Sequence, residues 1–303
     1  MPETRHLTIP TEHAGRRLDQ SLAELLPEYS RSRIQTWIDA GLVRVANADA
    51  SRKLKVWGGE AVSVEPDVHP AELPYQAENI ALSIVFEDES ILVLDKPAGL
   101  VTHPGAGNWE GTLLNALLHH VPGAATLPRA GIVHRLDKDT SGLMVVAKTL
   151  EAQTQLVRDL QARTVKRVYW AVALGRLLPS EGSIEAPIGR HPTQRVRMAV
   201  VERGKPALTH YKVRQPVAEV AWVECRLATG RTHQIRVHLA HLGHPLLGDS
   251  LYSGRRRSAL AFPRQALHAV RLGLVHPYSG EALEWEALPP PDFAELLLHL
   301  ESQ

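Results

Sequence analysis

Residues 65–79 contain Pro66, Pro70 and Pro74, no lysine or arginine, and no helical or strand periodicity, so this chain has to fold as two pieces joined by a linker. The charges divide along the same line. Residues 1–59 hold 9 basic and 7 acidic groups, residues 60–89 hold 0 and 8, and residues 90–303 hold 25 and 18. The formal net charge of +1 therefore conceals an acidic middle between two basic parts, and the basic parts are the ones a polyanion would meet. With 303 residues, 44% of them hydrophobic, the chain can build a small domain over 1–64 and a large one over 80–303, separated by the linker 65–79. The single cysteine, Cys225, excludes an internal disulfide framework and reads as a small core residue in a reducing compartment. No stretch approaches about 18 consecutive apolar residues, and residues 1–25 carry charges throughout. A cytoplasmic protein without a membrane segment is expected.

In the first piece Leu18, Leu22, Leu25 and Leu26, then Ile34, Trp37 and Ile38, recur at helical spacing and predict two short helices. Ser30 stands where an N-cap would open the second, with Arg31 and Arg33 near its start. Val43 and Val45, then Ala61, Val62 and Val64, alternate as short strands. Arg44, Arg52, Lys53 and Lys55 lie between these elements, either gathered on one basic surface or simply solvated. The larger piece alternates strand and helix: Ile84 to Phe86 and Ile91 to Leu94 around an acidic turn, a helical face at Leu113, Leu114, Leu117 and Leu118, a buried strand from Leu143 to Ala147, a helix through Leu156, Val157 and Leu160, and a strand from Val165 to Leu174. Further on come a strand from Ala221 to Leu227, a helix over about 232–242 and a last helix around 292–300. The fold class expected is α+β: a mixed, mainly antiparallel sheet decorated by helices, with a small α/β unit in front.

Two polar segments carry the chemistry. Residues 131–142 read Gly-Ile-Val-His-Arg-Leu-Asp-Lys-Asp-Thr-Ser-Gly and run straight into the apolar strand. Two carboxylates, two basic groups and a histidine within six residues cannot all be buried unpaired, so this loop faces solvent, a ligand or partners elsewhere. Residues 229–245 form the second segment, in which Thr232 fits an N-cap and Gly243 a C-cap. Ile235, Leu239 and Leu242 make an apolar stripe on that helix, flanked by Arg236, and an arginine beside a core-facing stripe needs an anion. Asp137 is a suitable partner, and the pair would orient its carboxylate. In the strand 165–172, alternation sets Arg167, Tyr169 and Ala171 on one face, where Tyr169 is either a core ring or a platform for a nucleobase. The four histidines His233, His238, His241 and His244 raise a metal site as an alternative, but there is no His-Glu-x-x-His pattern and no cysteine pair to support it.

Taken together, these segments and Lys96-Pro97-Ala98-Gly99-Leu100 closely resemble the RluA-type pseudouridine synthases. The likeness continues through His191-Pro192-Thr193, Gly204-Lys205-Pro206-Ala207, Gly248-Asp249 and Gln265-Ala266-Leu267-His268-Ala269. The first piece resembles the S4-like RNA-binding domain through Gly15-Arg16-Arg17-Leu18-Asp19, Ser30-Arg31-Ser32-Arg33 and Gly58-Gly59-Glu60. It departs at Val45-Ala46-Asn47-Ala48, where such domains have a tight Val-Asn-Gly turn, so a turn of another form is expected.

The resemblance implies conversion of uridine to pseudouridine in structured RNA, without metal or cofactor, by a monomer that requires no protein partner. Within the family the likeness is nearest to the member that acts on 23S ribosomal RNA, implying the helix 69 stem-loop as target. Another ribosomal or transfer RNA site, or a non-catalytic RNA-binding role in ribosome assembly, is the alternative. Carried over by motif, Asp137 would act on the sugar, by attack or by proton abstraction, while Arg236 pairs with it and Tyr169 stacks on the uracil with its hydroxyl near C5. Arg135 would fill the place of the flipped-out base. His134, Arg31, Arg33 and Lys53 complete the expected RNA contacts.

Overall fold

The computed structural model describes residues 4–66, 75–105, 107–217, 219–254, 256 and 258–302. The chain divides between residues 74 and 75 into two compact units. Residues 67–74, the middle of the expected linker, lie outside the described residues. Residues at the linker's far end are already tied into the larger unit, where the Gln76 carbonyl accepts from the Asn115 side chain and the Glu78 carboxylate from the Gly111 N–H.

In the smaller unit, strands β1 (Arg5–Thr8), β2 (Val43–Val45), β3 (Ala48–Asp49) and β4 (Ala61–Val64) form an antiparallel sheet in the order β1-β4-β2-β3. Helices α1 (Leu18–Leu25) and α2 (Arg31–Asp39) pack on it through Leu18, Leu22, Ile34, Trp37 and Ile38. The Ser30 hydroxyl caps α2 by accepting from the Arg33 N–H. One expectation fails here. Ala46 and Asn47 both have positive φ, +50° and +66°, so β2 and β3 are joined by the two-residue left-handed turn that Asn-Gly pairs favour. The geometry is kept although the glycine is not.

The larger unit is a nine-stranded mixed sheet. Its strands are β5 (Ile84–Glu87), β6 (Ile91–Lys96), β7 (Ser141–Ala147), β8 (Lys166–Leu174), β9 (Glu181–Glu185), β12 (Leu208–Pro216), β13 (Val220–Leu227), β14 (Leu267–Val275) and β15 (Ala282–Glu286), while β10 (Ile188–Arg190) and β11 (Met198–Val200) form a separate hairpin. The order is β5-β6-β7-β14-β8-β13-β12-β9, with β15 also on β14, and among the described strands only the β7–β14 pair is parallel. That contact is tight: Gly142 has φ +115°, and a Cβ there would lie 2.3 Å from the Ala269 carbonyl oxygen, so only glycine fits.

Strand β7 is buried on both faces, and its period of two sorts its side chains between them. Met144 and Val146 join the core that holds α3 (Leu113–His120) and α5 (Gln234–His241), whereas Leu143, Val145 and Ala147 face α4 (Leu150–Ala162). On β8, Tyr169 and Ala171 belong to the first of these cores. Helix α6 (Pro291–Glu301) covers the sheet further along through Phe293 and Leu297. Cys225 is buried in the core, and burial pushes its thiol up to about 12. Among the described residues no helix is long and apolar enough to cross a membrane.

Candidate active site

The loop that leads into β7 is held from three sides. The Lys96 side chain, wholly buried at the end of β6, donates to the carbonyls of Pro97, Leu100 and Lys138 at 2.7–3.0 Å. Burial pushes its amine down to about 8, against the pull of Asp137 and Asp139. The Thr102 hydroxyl donates to the Leu136 carbonyl at 2.7 Å, and Nε2 of His134 accepts from the Val145 N–H at 3.1 Å. His134 is therefore a strut between the loop and the strand, with burial lowering it to about 3; the expected RNA contact is not open to that nitrogen.

The same loop carries Asp137 to Arg236 on α5. Nη1 of Arg236 donates to Asp137 Oδ2 at 2.9 Å, while Nε and Nη2 grip the two oxygens of Asp249 at 2.7 and 3.0 Å. Asp249 is wholly buried and its Oδ1 also accepts the N–H groups of Leu251 and Tyr252. Burial alone would lower Arg236, but the hydrogen bond and charge of Asp249 together with the charge of Asp137 raise it above its ordinary value. The result is a row of carboxylate, guanidinium and carboxylate whose outer end, Asp137, reaches the surface of a cavity.

Helix α5 does not begin as expected. His233, not Thr232, is the capping residue, in the left-handed region at φ +57°, and the Gln234 side chain accepts from the Arg231 N–H and the Thr229 hydroxyl instead. At the other end Gly243 takes φ +84°, with His244 N–H bonded to Leu239 and Gly243 N–H to Ala240, which makes the expected glycine C-cap. Leu242 is exposed, so the apolar stripe ends at Leu239. The left-handed turn brings the His233 ring to Asp137, with Nε2 3.8 Å from Oδ1. Tyr252 fixes the ring from the other side. Its oxygen accepts from the Met198 N–H at 2.9 Å and lies 2.8 Å from His233 Nδ1, so we assign the phenol proton to Nδ1 and the ring proton to Nε2, facing Asp137. Burial lowers His233 below the ordinary histidine value, with Asp137 opposing. The other histidines of this segment have separate partners: His238 bonds Thr209 and Ala186, His244 bonds Leu174, and His241 is exposed. Among the described residues no three metal-ligating side chains come together.

An open cavity of about 510 Å³ lies over these groups. Tyr169 lines it from β8, almost wholly buried, and burial raises its phenol above the ordinary value. Arg135 is exposed and stands on the cavity wall two residues before Asp137. Six arginines, 129, 135, 163, 167, 231 and 236, line the space, and among the described residues Asp137 is its one carboxylate. Such a cavity admits a polyanion and presents it with a single fixed carboxylate, the equipment for nucleophilic or general-base chemistry at one atom.

The expected contacts of the smaller unit are built differently. Asp19, wholly buried on α1, accepts from Arg17 at 3.0 and 3.2 Å, from Arg31 at 3.1 and 3.0 Å, and from Gln35. Burial alone would raise Asp19, but the hydrogen bonds of Gln35, Arg31 and Arg17 outweigh it and hold the carboxyl below the usual carboxylate range. Arg31 is thus half spent on Asp19. Arg33 lies over the rings of Tyr29 and Trp37, 5.3 Å from each, and Lys53 is exposed. Sequence reasoning paired Asp137 with Arg236 but gave no role to Asp249, His233 or Tyr252. The usable signal for Asp249 was that a buried guanidinium has more donors than one carboxylate can satisfy.

The model of the RNA pseudouridylate synthase family matches residues 90–241, and that of the S4 domain matches residues 16–48. The chain is 56% identical to the ribosomal large subunit pseudouridine synthase D of Nitrosomonas europaea, over 97% of this chain and 87% of that one. With the protein of the same name from Haemophilus influenzae it shares 53% identity over 98% of this chain and 95% of the other. Among solved structures, human RNA pseudouridylate synthase domain containing 1 aligns with a TM-score of 0.56 at 29% identity, covering 75% of this chain and 97% of that one.

Proposed function

The chain belongs to the RNA pseudouridylate synthase family, alongside the ribosomal large subunit pseudouridine synthases D, and from that premise we propose that Asp137 is the carboxylate with which it isomerises uridine in 23S ribosomal RNA. The observation that carries this reading is the one carboxylate that an arginine-lined cavity holds among the described residues, aimed by Arg236. In the isomerisation the bond from ribose C1′ to N1 breaks with its electron pair left on the base, the uracil turns, C5 bonds to C1′, the C5 proton departs, and N1 takes up a proton. No atom is gained or lost, so the protein's task is to hold and to time.

Asp137 works at the sugar, by attack on C1′ or by taking the C2′ proton. Both need one oxygen fixed and one free, and Arg236 occupies Oδ2 only. Tyr169 stacks on the detached base, with its neutral hydroxyl toward C5. Arg135 fills the space left by the flipped nucleotide, since extrusion leaves neighbouring bases without a stacking partner. Arg31, Arg33 and Lys53 in the S4 unit add contacts to the RNA backbone. The substrate within 23S ribosomal RNA is the helix 69 stem-loop, and work on ribosomal RNA implies a cytoplasmic enzyme.

The deciding measurement is tritium release from RNA labelled at uridine C5. Asp137→Asn is expected to abolish release while stem-loop binding survives, and undiminished release overturns the assignment. Pseudouridine mapping in ribosomal RNA from a deletion strain tests the target; unchanged modification of helix 69 removes it.

A further inference from the structure

Among the described residues of the larger unit, three cationic side chains are buried, Lys96, Arg167 and Arg236. Lys96 has three carbonyl oxygens and Arg236 has two carboxylates. Arg167 has neither. It is 7% exposed, its Nε has no hydrogen-bond partner, and no carboxylate of the described residues forms an ion pair with it. A desolvated guanidinium without a counter-ion works against folding, and burial accordingly lowers Arg167 below the usual arginine value. Its side chain lines the cavity that holds Asp137, on the face of β8 that also bears Tyr169.

Gly230 makes room for it. A Cβ at that position would sit 2.7 Å from Arg167 Nη1, and the Gly230 backbone lies outside the left-handed region, so the absent side chain serves space and not backbone conformation. What fits beside a permanent, buried, two-pronged cation is a permanent anion with two oxygens to offer. Uracil carbonyls are neutral until the glycosidic bond breaks. A phosphodiester is charged throughout, and a nucleotide that enters the cavity brings its own phosphates with it.

We propose that Arg167, in the space left by Gly230, is a phosphate receptor that holds one backbone phosphodiester of the RNA strand next to the uridine bound at Asp137. The contact rests on the reading of Asp137 as the catalytic carboxylate, and it explains why an uncompensated charge is kept inside this wall: the substrate supplies the missing counter-ion.

The test uses the full-length protein and stem-loop RNAs in which single phosphates around the modified uridine are replaced by neutral methylphosphonates. For the unaltered protein, one linkage is expected to raise Kd about tenfold. Arg167→Met should raise Kd for unmodified RNA by a similar factor, lose sensitivity at that linkage, and reduce the slope of log affinity against log salt by about 1. It should also melt higher than the unaltered protein, because a buried charge without a partner has gone. Gly230→Ala, which keeps the charge but crowds it, should reproduce the loss of affinity. An Arg167→Met variant that binds every RNA as the unaltered protein does, whether it melts lower or higher, overturns the proposal. So does one that binds normally but turns over slowly at saturating RNA, since the guanidinium would then act on the base. Turnover of Asp137→Asn judges the site reading, and these affinities judge the phosphate contact, so either can fail alone.

Discussion

Both units are organised around a wholly buried aspartate gripped by arginine, Asp19 in the smaller and Asp249 in the larger, yet the two clusters present opposite charge to the outside. Around Asp19 the carboxylate is inside, and the arginines, 40% and 43% exposed, form the outer layer. Around Asp249 the arginine is itself buried, 8% exposed, and a second carboxylate, Asp137, forms the outer end. One more link in the chain of charges changes what is offered: a cationic surface suited to an RNA backbone in one unit, a fixed anion within cationic walls in the other. A buried ion pair is weak evidence of stability, but it is an effective way to aim whatever is attached to its outer end.

Three measurements can break or sharpen this contrast. The largest effect is expected from Asp249→Asn, which leaves Arg236 buried with half its neutralisation. Unfolding by urea should lose about 3–5 kcal/mol, and turnover should fall because Asp137 is no longer aimed. A loss under about 1 kcal/mol would show that Arg236 leans on Asp137 alone. Acid comes next. His268 on β14 is wholly buried, accepts from Ser141 and donates to the Ala287 carbonyl, and burial lowers it to about 4. The unfolded chain binds this proton below about 6.5 and the folded one does not, so this group's contribution to stability falls as pH drops from 6.5 toward 4, by roughly 3 kcal/mol. The lowered carboxyl of Asp19 loses its contribution only below its ordinary value of 3.8. Hydrogen exchange at pH 5 should therefore loosen the larger sheet while amides of α1 stay protected; equal loosening would dissolve the distinction. The smallest effect belongs to Asp19→Asn, worth about 1.5–3 kcal/mol from its charged hydrogen bonds. It should raise Kd for the stem-loop with kcat unchanged, and a fall in kcat would assign the smaller unit a part in the chemistry.

What was legible in the sequence follows the reach of each signal. Period-two alternation marked β2, β4 and β8, and helical spacing marked α1 to α4, because those patterns are local. The pairing of Asp137 with Arg236, 99 residues apart, was legible because a carboxylate in a polar loop and an arginine beside an apolar stripe each pose a problem that the other solves. Asp249 was not assigned, since its place is set by a turn whose N–H groups only converge in the folded chain. The start of α5 was misread for a related reason: Thr232 has the better capping side chain, but Gln234 satisfies the free N–H of Arg231 and lets His233 turn inward. Arg167 was placed on the right face of its strand, yet its isolation shows only when every neighbour is in position.

The sheet order carries a consequence for how the enzyme comes into being. Strand β14 is inserted between β7, which anchors the Asp137 loop, and β8, which carries Tyr169. A chain emerging from the ribosome as far as Arg236 already possesses every side chain of the carboxylate–guanidinium–carboxylate row except Asp249, but its two halves have no common strand. They are joined when residues 267–275 arrive and Ala269 closes against Gly142. A chain cut short before that point lacks the middle of its sheet and not an edge, and it has no assembled centre to misuse. An enzyme whose substrate is the ribosome's own RNA stays unarmed during most of the time it is tethered to one.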